Sequence, residues 1–120
     1  MDGNLGEEMR GKVVGLEASI LSRNPLVKLD ISYNVPAGAM ILHKIVVDPA
    51  ARGTGVGTLV MEELCAAADG WGIRIALTPS ADFGGSKSRL VGFYGGFGFK
   101  KVSRRSRDFS LSEEMVRDPQ

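Results

Sequence analysis

Residues 45 to 58 hold the pattern with the most chemistry in it: Ile45-Val46-Val47-Asp48-Pro49-Ala50-Ala51-Arg52-Gly53-Thr54-Gly55-Val56-Gly57-Thr58. A β-branched run stops at Asp-Pro, a short loop follows, and Arg-Gly-x-Gly-x-Gly opens a segment with helical spacing. Three alternating glycines ahead of a helix leave backbone N–H groups bare. Such amides, together with the helix dipole, attract phosphate. Glycine suits the place because a side chain would block the ligand's approach and some of these turns need positive φ. The segment reads as a pyrophosphate cradle between a strand and a helix. Spacing rules out the two commonest nucleotide loops. A Walker loop needs Lys-Ser or Lys-Thr after its last glycine, and Val56-Gly57-Thr58 supplies neither. A dinucleotide fingerprint needs G-x-G-x-x-G, whereas Gly53, Gly55 and Gly57 are evenly spaced.

The segment resembles the signature of the GNAT superfamily of acyl-CoA-dependent N-acyltransferases. That pattern is a strand ending in Val-x-Pro, then x-x-Arg-Gly-x-Gly-x-Gly or Ala. A second family element, Phe-Tyr followed after three residues by Gly-Phe, is matched by Phe93-Tyr94-Gly95-Gly96-Phe97-Gly98-Phe99. The resemblance runs from about His43 to Phe99, roughly half the chain. Two motifs in order and at family spacing argue against a merely tight connection.

The resemblance implies transfer of an acyl group, most simply acetyl from acetyl-CoA, to a primary amine of a small molecule or protein. Ile45, Val46 and Val47 would line the thioester, a bulge in their strand turning an N–H toward its carbonyl oxygen. Gly53, Thr54, Gly55, Val56, Gly57 and Thr58 would hold the pyrophosphate. Arg52 either approaches phosphate or is a solvated arginine. Tyr94 stands where many members place a tyrosine near the CoA sulfur, as the acid for the leaving thiolate; the competing reading is a core aromatic among Phe93, Phe97 and Phe99. Where the family often has an asparagine seven residues earlier, this chain has Lys87. No general base is singled out: His43, Glu17, Asp30, Tyr33 and ordered water all stay open.

Composition fits one small domain over residues 1–120. The chain is 43% hydrophobic and 24% charged, with a net charge of +1, which gives no global pull toward nucleic acid or anionic membrane. No apolar run is long enough to span a bilayer and no signal peptide stands at Met1-Asp2-Gly3, so a cytoplasmic location is expected. A lone cysteine, Cys65, precludes an internal disulfide or a cysteine zinc site; no metal is expected. Lys100, Lys101, Arg104, Arg105 and Arg107 crowd one stretch, read as a solvated turn in preference to a phosphate or nucleic-acid contact.

Alternating elements must position these groups. Residues 1–10 read as a frayed lead-in, and Lys12–Leu21, Leu26–Val35 and Met40–Val47 as a three-strand antiparallel meander broken at Asn24-Pro25 and Pro36-Ala37-Gly38. Helical spacing over Val56–Asp69 ends at Gly70 as C-cap, with Cys65 better read as a buried inert thiol than a nucleophile, and Trp71 after it as a packing anchor. Ile73–Thr78 is a strand, Ser80–Ser86 a loop, Lys87–Gly95 a helix, and strands start at Gly98 and cover Asp108–Val116. Strand-helix-strand around the glycine loop demands a parallel crossover in a mostly antiparallel sheet, hence α+β (mixed α/β). The resemblance adds a splayed parallel pair admitting the pantetheine arm, two main helices, and N-terminal helices reduced or absent. That trimmed front supports an alternative function, a catalytically silent module binding CoA or a protein partner. A homodimer, common in the family, would be one way to rebuild the missing wall.

Overall fold

The computed structural model describes residues 2–79, 87–102 and 111–120. Helix α1 (Asp2–Arg23) leads into strands β1 (Val27–Asn34) and β2 (Ala39–Val47), then α2 (Val56–Trp71), β3 (Arg74–Leu77), α3 (Lys87–Gly95), β4 (Lys100–Lys101) and β5 (Met115–Arg117). The sheet order is β1-β2-β3-β5-β4. Among the described residues β2 and β3 pair in parallel, as the strand-helix-strand crossover through α2 requires, and the pairings β1–β2, β3–β5 and β4–β5 are antiparallel. The α+β class expected from the sequence is the one observed.

The front end differs from the sequence reading. Lys12–Leu21 is not a strand, and residues 2–10 are not a frayed lead-in; both belong to α1. Val13 and Ile20 are fully buried, with Met9 and Leu16 packed beside them, while Val14 is 64% exposed. Positions 9, 13, 16 and 20 form a stripe at helical period, and it overrides the β-branched propensity of Val13-Val14. The helix comes close to the β1–β2 turn: a Cβ on Gly6 would lie 3.1 Å from both Cγ atoms of Val35. One helix and a β1–β2 hairpin therefore stand where a three-strand meander was expected.

Alternate residues divide the sheet into two faces. Leu29, Ile31, Met40, Leu42, Ile75, Leu77 and Met115 point into one core with Val13 and Ile20 of α1, Val60, Met61, Leu64 and Ala68 of α2, and Tyr94 of α3. On the other face Ala39, Ile41 and Ala76 gather with Ala37, Leu111 and Val116. Cys65 is buried, and burial pushes its thiol pKa up, in keeping with an inert packing role. Trp71, half-buried, packs against the first core as expected.

Helix α2 runs past Gly70 and stops at Gly72, whose φ of 69° lets the chain turn and whose N–H bonds to Ala68 and Asp69 carbonyls. Beyond it lies a contact the sequence did not signal. Arg117, 4% exposed, grips Asp69 with both terminal nitrogens (2.7 and 3.0 Å) and donates from Nε to the Phe97 carbonyl at 2.6 Å. The Gln120 amide also donates to Asp69, at 2.9 Å. One guanidinium thus ties the ends of α2, α3 and β5 together. The hydrogen bonds from Arg117 hold the Asp69 carboxyl below the usual carboxylate range. Two strands are shorter than expected: β4 covers only Lys100–Lys101, and β5 starts at Met115. The expected loop Ser80–Ser86, the start of the last strand at Asp108, and Arg104, Arg105 and Arg107 lie outside the described residues.

Candidate active site

The strand-to-helix corner is built from local hydrogen bonds. Asp48 Oδ1 accepts the Ala50 N–H at 2.9 Å and the Asp48 carbonyl accepts Ala51 N–H at 2.8 Å, winding one short turn from Pro49 to Ala51. Thr54 closes back on the Ala51 carbonyl through both its N–H and its hydroxyl. Gly53 and Gly55 both sit at φ 81°, the left-handed region that other residues enter at a cost. An added Cβ at either meets nothing within 4 Å, so both open onto free space. Gly55 is the N-cap of α2 and offers no side chain to its first turn. Leu59 N–H is the first amide to bond back, to the Gly55 carbonyl at 3.1 Å. Among the described contacts the amides of Gly55, Val56, Gly57 and Thr58 meet no protein acceptor, the arrangement an anion needs.

This corner adjoins the end of β2. A Cβ on Gly57 would lie 3.6 Å from Val47 Cγ2, and exposed Arg52 leans back with Nε 3.4 Å from the Val47 carbonyl. The parallel ladder to β3 pairs Ala39 through Leu42 with Arg74 through Leu77 and then stops. Among the described residues no strand pairs with that edge of β2 over His43–Val47, which passes Ile45, Val46 and Val47, all half-buried. A bulge sits at the point of divergence. Asp30 faces Lys44 and Ile31 faces Leu42, so His43 is the extra residue on β2.

Tyr94 lies on α3, buried at 8% exposure, its ring edge-on to Phe93 and Phe99 at centroid distances of 5.4 and 5.9 Å. It belongs to the core that Ile45, Val47 and Val56 border. Its hydroxyl meets no protein group among the described contacts, and no buried side-chain oxygen is left unpartnered, so that oxygen keeps contact with solvent. Burial raises the phenol pKa, which keeps it protonated at neutral pH. The ring is thus a core aromatic, as the competing reading of Tyr94 has it.

The other candidates separate. Glu17 is on α1, not in a meander strand, and its Oε2 accepts the Ile31 N–H at 2.8 Å. Asp30 and Tyr33 are on β1, exposed and half-buried. His43 is exposed and its Nε2 lies 2.7 Å from Ser32 Oγ. Lys87 is engaged by Glu114 at 3.0 Å, on the surface. A cavity of about 380 Å³ lies elsewhere, between Arg74, Lys100, Leu111, Val116 and Asp118, and shares no residue with the glycine corner. An extended arm laid along an open strand edge needs a groove and not an enclosed cavity. Among the described residues no three metal-binding side chains come together, and no helix is long and apolar enough to cross a membrane.

Residues 8–101 match the family model described as acetyltransferase (GNAT) domain. An acetyltransferase of the GNAT family from Staphylococcus aureus Mu50 is 17% identical, with a TM-score of 0.58 over 79% of this chain and 60% of its own. Tetrahymena GCN5 is 12% identical, with a TM-score of 0.55 over 79% of this chain and 61% of its own. These are likenesses of fold, and the chain spans about three-fifths of the length of either structure. No curated protein matches significantly.

Proposed function

Because this chain belongs to the GNAT acetyltransferase family, we propose that it transfers an acetyl group from acetyl-CoA to a primary amine by direct attack. The observation that carries this reading is the continuity of the open β2 edge over His43–Val47 with the unpaired amides at the start of α2. A strand edge offers alternating N–H and C=O groups to an amide-bearing arm, and the helix start offers donors and dipole to the pyrophosphate at its end. The free space beside Gly53 and Gly55 suits a ligand pressed against backbone. Arg52 adds charge at the rim of the same corner.

The division of labour follows. Gly53 to Thr58 hold the phosphates and fix the register of the donor. Ile45, Val46 and Val47 flank the thioester, where a strand N–H stabilises the oxyanion that forms as the amine adds. Tyr94 gives a proton to the departing thiolate, a task open to it because its raised pKa keeps the proton in place. The acceptor is an amine of a small molecule or a protein.

Calorimetric titration with acetyl-CoA tests the site, followed by thiol release with a panel of primary amines. Stoichiometric micromolar binding is expected. A folded sample that binds no acetyl-CoA refutes the assignment. Binding without thiol release against any amine would favour a silent CoA-binding module, the reading suggested by the Lys87–Glu114 pair where relatives often carry asparagine.

A further inference from the structure

We propose that His43 is the general base of the acetyltransfer reaction and that Ser32 is its positioning residue; this rests on the acetyltransferase reading above. Three observations meet at His43. It is the extra residue of the β2 bulge, so its side chain is set by an irregularity and not by the regular alternation of the strand. It is the first residue beyond the last β2–β3 pair, Leu42 with Leu77, and so stands at the apex of the divergence. It is exposed, the chain's single imidazole, and held through one nitrogen only, Nε2 to Ser32 Oγ at 2.7 Å.

His43 Nε2 and Ser32 Oγ, 2.7 Å apart, can bond with either as the donor. The base requires the tautomer in which Nε2–H donates to Ser32 Oγ, since it alone leaves an unengaged lone pair, on Nδ1, which carries no hydrogen bond among the described contacts. The competing groups are otherwise placed. Glu17 is bound to the Ile31 amide from α1. Asp30 and Lys44 face each other across the β1–β2 ladder next to the bulge, one acid against one base. On β3 the charged residue is Arg74, at the opposite end of the ladder from Leu77, donating to the Ala37 carbonyl.

The step balances as follows. The acceptor ammonium gives one proton to His43 Nδ1, and the neutral nitrogen forms the N–C bond at the thioester carbon. The C–S bond then breaks. Tyr94 donates its proton to the thiolate and regains one from the nitrogen's remaining excess proton, directly or through water. The products are amide, free thiol and an imidazolium that returns its proton to solvent.

A single histidine makes the ring directly visible by NMR. Calorimetry with acetyl-CoA comes first; if the wild-type chain binds none, the acetyltransferase reading itself falls and this assignment with it. Given binding, long-range ¹⁵N spectra above the imidazole pKa are expected to show the Nε2–H tautomer. Ser32→Ala should shift the ring toward a tautomer mixture, Ser32→Thr should restore it, and saturating acetyl-CoA should move the ring resonances. A dominant Nδ1–H tautomer, or a ring unmoved by bound acetyl-CoA, overturns the proposal. In thiol release, His43→Gln should lower kcat/KM for the amine roughly a hundredfold, remove the acid limb of its pH profile and leave the acetyl-CoA Kd within about twofold. An unchanged rate with the same acid limb overturns it. So does an acetyl group trapped on Ser32, which would make Ser32 a nucleophile.

Discussion

Gly55→Ala separates the backbone requirement of the corner from its openness. Gly55 sits at φ 81°, and an added Cβ there touches nothing within 4 Å, so no steric clash contributes. The cost is the left-handed backbone itself, about 1–2 kcal/mol for an L-residue. For a chain of 120 residues each kcal/mol moves Tm by roughly 3–6 °C, so a fall of roughly 3–12 °C is expected. Binding should suffer separately. The dihedrals at Gly55 orient the Val56 N–H, and any relief of strain swings that donor away from the bound phosphate. Acetyl-CoA affinity should drop at least tenfold, about 1.4 kcal/mol. Gly57→Ala is the matched control. Gly57 is helical, its Cβ would meet Val47 at an ordinary 3.6 Å, and alanine should add about 0.5 kcal/mol while leaving Kd within about twofold. Thermal melts and calorimetry at 20 °C, where both variants are folded, read the two effects independently. If Gly55→Ala binds acetyl-CoA as tightly as wild type, the helix-start cradle is wrong, whatever the melts show.

Tyr94→Phe should keep the edge-on contacts to Phe93 and Phe99, and with them stability and acetyl-CoA affinity, while turnover falls roughly ten- to a hundredfold; an unchanged rate removes the phenol from the mechanism. Asp69→Asn leaves the Arg117 guanidinium, 5% exposed in its side chain, without its counter-charge. Since Asp69 is itself 26% exposed, the loss should fall somewhat below the fully buried case, about 2–3 kcal/mol by urea unfolding. The same pair sets a pH dependence. The Asp69 carboxyl is depressed, so its contribution is full above about pH 4, the unfolded value, and disappears as pH falls through the lower folded value. A wild-type urea midpoint that declines no more steeply than that of Asp69→Asn over this acidic range contradicts the assignment. Lys87→Ala, by contrast, removes a pair exposed on both sides (57% and 49%) and should change stability by less than about 0.5 kcal/mol; a larger loss would mean that the pair anchors α3.

The parts of this protein legible in its sequence are those fixed by neighbours along the chain. Asp48-Pro49 winds the short turn, Gly53 and Gly55 take the positive φ the corner needs, and the period of Val60, Leu64 and Ala68 writes α2 in a single stretch. Residues 8–101, the span of the family match, contain both motifs read from the sequence. The α1 stripe of Met9, Val13, Leu16 and Ile20 was also present, but the β-branched and apolar content of Lys12–Leu21 argued locally for a strand, and only packing against β1 decides between them. Other features had no local sign at all. Asp69 and Arg117 are 48 residues apart, and nothing near either predicts that they meet. The bulge that sets His43 beside Ser32, and the halt of the β2–β3 ladder at Leu42, depend on register between strands. Short-range conformation is encoded by the residues that adopt it; register and long-range pairing exist only once the strands have met, and they decide where the candidate site residues stand.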